Sequence, residues 1–108
     1  MTINIANIYD SITKTAGAEK FLPLFENGVV KIERIVSCSC QSPTDFWYDQ
    51  AESEWVIVLR GAATLEFEGG KLVEMVEGDH LLIPRHAKHR VYQTSPETVW
   101  LAVHVKNE

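Results

Sequence analysis

The stretch Gly78-Asp79-His80-Leu81-Leu82-Ile83-Pro84-Arg85-His86-Ala87-Lys88-His89-Arg90-Val91-Tyr92-Gln93 decides the fold. Leu81-Leu82-Ile83 is a short apolar run stopped by Pro84, and residues from His89 to Thr94 make a second short run. That is strand, turn, strand, with no helical period. The same grammar continues outward. Upstream, Trp55 to Leu59 is a buried-strand run stopped by Arg60-Gly61. Ala63 to Glu68 alternates, with Leu65 and Phe67 apolar and Glu66 and Glu68 polar. Gly69-Gly70 turns the chain into Leu72 to Val76. Downstream, Ser95-Pro96-Glu97 is a turn and Thr98 to Val105 closes the pattern. Further back, Val29 to Val36 is rich in β-branched residues, and Gln41 to Asp45 is a loop. Short strands at this spacing, punctuated by Gly and Pro, predict an all-β sandwich or barrel rather than a parallel α/β sheet.

The first 28 residues read differently and form an N-terminal segment ahead of a β domain over 29–108. Thr2-Ile3-Asn4-Ile5 alternates and suits a four-residue strand stub. Ile5, Ile8, Tyr9 and Ile12 fall at helical spacing, so a brief helix ending before Gly17 is expected after it. Phe21 to Phe25 carries Pro23 and suits an edge segment.

With 108 residues, 45% apolar and 23% charged, the chain has the composition of one ordinary globular domain. The net charge of −5 argues against nucleic acid or an anionic membrane as partner, since both need a cationic footprint. No basic stretch precedes an apolar run at the start, and none approaches the roughly 20 residues of a spanning helix. A cytoplasmic location is expected. Cys38 and Cys40, spaced C-x-C, suit a disulfide poorly and have no second pair to complete a zinc site.

On these residues the chain resembles the cupin superfamily. One family motif runs Gly, five residues, Pro-x-Gly, two residues, His, three residues, Asn. Here Gly78, Pro84 and His89 fall in register, with His86 in place of glycine and Gln93 in place of asparagine. The other motif ends Glu, six residues, Gly, matched by Glu54 and Gly61. Its His-x-His positions fall on Trp47 and Asp49 or, with a shorter spacer, on Tyr48 and Gln50. The resemblance spans roughly residues 29–105. It implies a small jelly-roll barrel of two packed antiparallel sheets with little helix, and a site in the barrel mouth.

In such barrels alternate side chains point inward, so strands distant in sequence converge donors on one point. The resemblance implies a divalent metal, Fe, Mn, Zn or Ni, and a small-molecule ligand. Carried over by position, the metal set is Glu54 and His89, with Asp49 as carboxylate substitute and His86 as a second imidazole. His86 also reads as a turn residue, because its position holds glycine and histidine tolerates positive φ. Gln50, Gln93, His104 and Trp100 are expected to line the ligand pocket. His80 is expected near a turn. Arg85, Lys88 and Arg90 bracket the histidines and read as a solvated basic loop. Phe46, Trp47, Tyr48, Trp55 and Trp100 read as pocket or core. A metal-dependent dioxygenase or isomerase and a non-catalytic ligand-binding barrel both remain open, and a homodimer paired through Thr2 to Ile5 is expected.

Overall fold

The computed structural model describes residues 1–106, and the last two positions of the expected domain fall outside them. Eight strands follow one another: β1 Glu19–Glu26, β2 Val30–Ser37, β3 Ser53–Arg60, β4 Ala62–Phe67, β5 Lys71–Val76, β6 His80–Ile83, β7 His89–Thr94 and β8 Thr98–Val105. They form two antiparallel sheets, ordered β1-β2-β8-β3-β6 and β5-β4-β7. Among the described residues there is no helix.

Alternation decides which side chains fill the space between the sheets. Ile35 of β2, Val56 and Val58 of β3, Ala63 and Leu65 of β4, Ile83 of β6, Val91 of β7, and Trp100 and Ala102 of β8 form the core, joined by Met75 of β5. These are every-second-residue rows, the period that the sequence displays. The Trp100 indole donates to Ser37 Oγ at 3.1 Å, so its one polar atom is satisfied inside. In the three-residue β4–β5 loop Gly69 and Gly70 both take positive φ, 96° and 88°, a left-handed backbone that glycine adopts without steric cost.

The N-terminal segment departs from expectation. The five-stranded sheet begins at Glu19, inside the segment read as preceding the barrel. Pro23 is tolerated because β1 is an edge strand, with a register shift between Pro23 and Phe25. Neither the strand stub at residues 2–5 nor the helix after it forms within the chain. Residues 8–11 make a single turn instead. The Asn7 side chain accepts from the Tyr9 amide at 2.8 Å, closing a local turn in place of a helical nucleus. Arg34 then donates to the carbonyls of Ile8 and Asp10 at 3.0 and 2.7 Å and pins the turn to the outer face of β2.

Candidate functional site

The inward rows turn polar at particular positions: Glu33 on β2, Glu54 on β3, His89 on β7 and His104 on β8. Together with Glu19, Tyr48 and Gln50 they enter the lining of a cavity of about 70 Å³ between the sheets, closed by Phe21, Ile35, Leu65, Ile83 and Trp100 among others. A buried water needs roughly 10–15 Å³ on this measure, so the space takes a few water-sized groups.

His89 is fixed by its backbone. Its amide and carbonyl exchange hydrogen bonds with Tyr48 at 3.1 and 2.7 Å, a bridge that brings the loop before β3 onto β7. The Tyr48 ring stacks on the imidazole, with centroids 5.4 Å apart. His89 Nδ1 lies 2.9 Å from the Ala87 carbonyl oxygen, which can only accept, so Nδ1 carries the proton and donates it. The Nε2 lone pair is left available. Burial holds the His89 imidazole below its ordinary pKa, which keeps it neutral.

Glu54 is the opposite case. It is 7% exposed, and no hydrogen bond reaches its carboxylate from the described residues. Burial pushes its pKa up; His104 opposes the shift, while Glu33, Glu19 and Glu52 add to it. Glu54 and His104 face each other in register across β3 and β8. His104 Nε2 is 2.9 Å from Glu33 Oε1, and Lys31 Nζ stands 3.6 Å from the other Glu33 oxygen. His104 Nδ1 is buried without a partner. Glu19 accepts from Ser37 Oγ at 2.6 Å, and burial raises its pKa against that bond. The Tyr48 phenol is pushed up to about 12 by burial.

The expected residues divide into two groups. Glu54, His89, Gln50, His104 and Trp100 share the cavity. Asp49, His86 and Gln93 do not. The Tyr48–His89 bridge sends residues 48 and 50 inward and residue 49 outward, so the shorter-spacer register is the one adopted. Asp49 instead meets His86 Nδ1 at 2.8 Å on the exposed surface. His86 has φ of 62°, the left-handed turn conformation that its glycine-like position demands, and this carries its side chain outward. Gln93 is exposed and borders a separate groove with Thr64 and Glu74. Of the five aromatics expected at the pocket or core, Tyr48 and Trp100 line the cavity; Trp55 packs against exposed His80 on the outside. Arg90 is not on a solvated loop. It is buried, bonded to Glu66 at 2.7 Å and to the carbonyls of Ser42 and Pro43. Cys38 and Cys40 are free thiols, with burial raising Cys40 to about 11.

The set Asp49, Glu54, His86 and His89 is therefore not brought together, and no three His, Cys, Asp or Glu side chains among the described residues converge to hold a metal. Glu54 and His89 stand at the two family positions, with Tyr48 and Gln50 where imidazoles would complete the shell. The chain supplies two strong donors, short of the three or four protein ligands of a closed centre. Glu33 and Glu19 were the residues that sequence reasoning missed. Glu33 shares its inward parity with Ile35, and a carboxylate in a core-facing row was the signal available.

Two packed antiparallel sheets with a cavity between them define a small jelly-roll barrel. The chain belongs to the cupin-domain family, whose model matches residues 42–104. No curated protein matches it. Among solved structures it is similar to a protein from Ralstonia eutropha JMP134 provisionally named a mannose-6-phosphate isomerase. The two are 42% identical over 97% of this chain and 100% of that one, with a TM-score of 0.90. A cupin superfamily protein from Desulfitobacterium hafniense shares the fold at 16% identity, covering 89% and 84% of the two chains, with a TM-score of 0.74. A cupin with a double-stranded β-helix fold from Methanocaldococcus jannaschii does so at 16% identity, covering 88% and 86%, with a TM-score of 0.67.

Proposed function

We propose that the cavity binds a small polar molecule between Glu54 and His89 and can move a proton on it. The observation that carries this reading is the pairing of two buried titratable groups with opposite shifts in one cavity. His89 is kept neutral with Nε2 free to accept a proton, and Glu54 is biased toward the protonated form that can donate one. Buried titratable groups displaced from their ordinary values by desolvation in one cavity mark a candidate site for proton transfer. An isomerase, the class in the name of the Ralstonia relative, can use such a pair, because shifting a carbonyl between neighbouring carbons removes a proton from one carbon and delivers one to the other.

The divalent-ion reading narrows to Glu54 and His89 as protein donors. His89 supports it: an imidazole whose Nδ1–H is anchored on a backbone carbonyl presents Nε2 as metal ligands do. The ion would act as a Lewis acid on a ligand oxygen, and the ligand's own oxygens would have to complete its coordination.

Thermal shift with dihydroxyacetone, the smallest ketose, tests the proposal, with Mn, Fe, Zn and Ni as parallel additions. Stabilisation of the wild type is expected, lost in His89→Ala and Glu54→Gln and kept in His80→Ala, which alters only an exposed residue. Equal stabilisation across all four proteins would place binding elsewhere.

A further inference from the structure

We infer that the cavity selects a ligand carrying a positive charge, a small organic amine in its ammonium form, and rejects phosphorylated ones. The inference rests on the reading that this cavity is the ligand site.

The lining holds three carboxylates, Glu19, Glu33 and Glu54, two imidazoles, His89 and His104, the Tyr48 phenol, and no Lys or Arg. Glu33 is hydrogen-bonded to His104 Nε2 and has Lys31 beside it from outside the lining. His89 directs its Nδ1–H to the Ala87 carbonyl, away from the carboxylates. Glu19 has one hydroxyl bond and Glu54 has none, and neither is ion-paired among the described residues. A carboxylate that is 7% exposed, faces the cavity and lacks any hydrogen bond is an unmet demand for a donor.

A phosphate makes the opposite demand. Phosphate recognition uses Arg, Lys or clustered backbone amides, and the cavity offers acceptors where those would stand. A dianion placed beside Glu33, with no Lys or Arg in the lining to receive it, would be desolvated without compensation. The basic side chains nearby do not remedy this. Arg90 is committed to Glu66 and two carbonyls, and Lys88 is on the surface 3.8 Å from Glu68.

An organic ammonium suits the walls better than a bare ion does. Phe21, Tyr48 and Trp100 present aromatic surface to the same space, which attracts ammonium groups and accommodates their carbon substituents. A strongly hydrated divalent ion needs several convergent donors, and no such cluster occurs among the described residues.

Three probes with one carbon skeleton isolate the charge: 2-amino-1,3-propanediol, glycerol and glycerol 3-phosphate, measured by calorimetry and by the imidazole NMR signals of His89 and His104. The amine is expected to bind about tenfold tighter than glycerol, or more, as hydrogen bonds to charged groups do. Glycerol 3-phosphate is expected not to bind. Glu54→Gln and Glu19→Gln should each narrow the amine's advantage, with unchanged melting cooperativity showing that they fold. If glycerol or its phosphate binds as well as the amine, the charge selection is wrong while the cavity stands. If no probe moves either imidazole at the highest concentrations, the cavity reading fails and the selection with it.

Discussion

Glu54 and His89 respond to pH in opposite directions, and burial is the leading cause in both. A carboxyl whose folded pKa is raised contributes stability that is complete below its unfolded value, about 4.5, and is lost as pH rises through the folded value. A histidine whose folded pKa is lowered contributes stability that is present above about 6.5 and is lost as pH falls below it. Glu54→Gln keeps the shape and removes the ionisation. Its melting temperature should exceed that of the wild type at pH 8 and converge with it near pH 4. A relief of about 1 kcal/mol corresponds to roughly 4–8 °C for a domain of this size. Melting curves at the two pH values check this, and a variant less stable than wild type at pH 8 would show that the carboxylate is compensated. At this scale the inward placement of Glu54 and His89 was legible in the sequence because strand parity and motif spacing agree on it. Asp49 was not. Its direction is set by the Tyr48–His89 bridge, a pairing between residues 41 apart in sequence that no local pattern encodes.

The strands themselves were readable almost to the residue, β7 and β8 most of all, because each has one face against the core and β-branched or aromatic residues on it. The elements that failed were those whose conformation depends on distant partners. Residues 5–12 have the apolar spacing of a helix, but Arg34 claims the carbonyls of Ile8 and Asp10, which a helix would use internally. Glycine positions carry firmer local information. Gly61 links β3 to β4 with φ of 87°, and a Cβ there would overlap the Glu97 carbonyl and stand 2.6 Å from Ser95 Oγ. The close approach is useful: Ser95 donates or accepts across this junction to Thr98 at 2.6 Å and receives the Ala62 amide at 3.1 Å. Gly61→Ala therefore combines left-handed strain with a backbone clash and should cost about 3 kcal/mol. Urea denaturation reads it as a lower midpoint at unchanged slope, and a loss under about 0.5 kcal/mol, the scale of ordinary surface changes, would show that the junction can shift.

For the molecule as a whole, the unexplained feature is apolar surface at one edge. Phe21, Leu22, Leu24 and Phe25 of β1 are between 45% and 53% exposed, and β1 has no neighbour on its outer side. Ile3 and Ile5 are 82% and 99% exposed on a segment without a strand partner in its own chain. An apolar edge strand left open is a template for further pairing, and an alternating Thr2-Ile3-Asn4-Ile5 segment supplies the matching strand. Reciprocal exchange between two copies is isologous and closed, so it stops at a dimer. It also bears on the site: Glu19 and Phe21 line the cavity from β1, and a strand laid along that edge would shield both from water. The expected state is a homodimer, read by light scattering as twice the chain mass. Ile3→Asp with Ile5→Asp should shift it to monomer, since burying two carboxylates against Phe21 and Phe25 costs more than the exchange returns. A wild type that stays monomeric at high concentration overturns the exchange. A dimer that the double variant leaves intact moves the interface off the N-terminal segment and onto β1 itself.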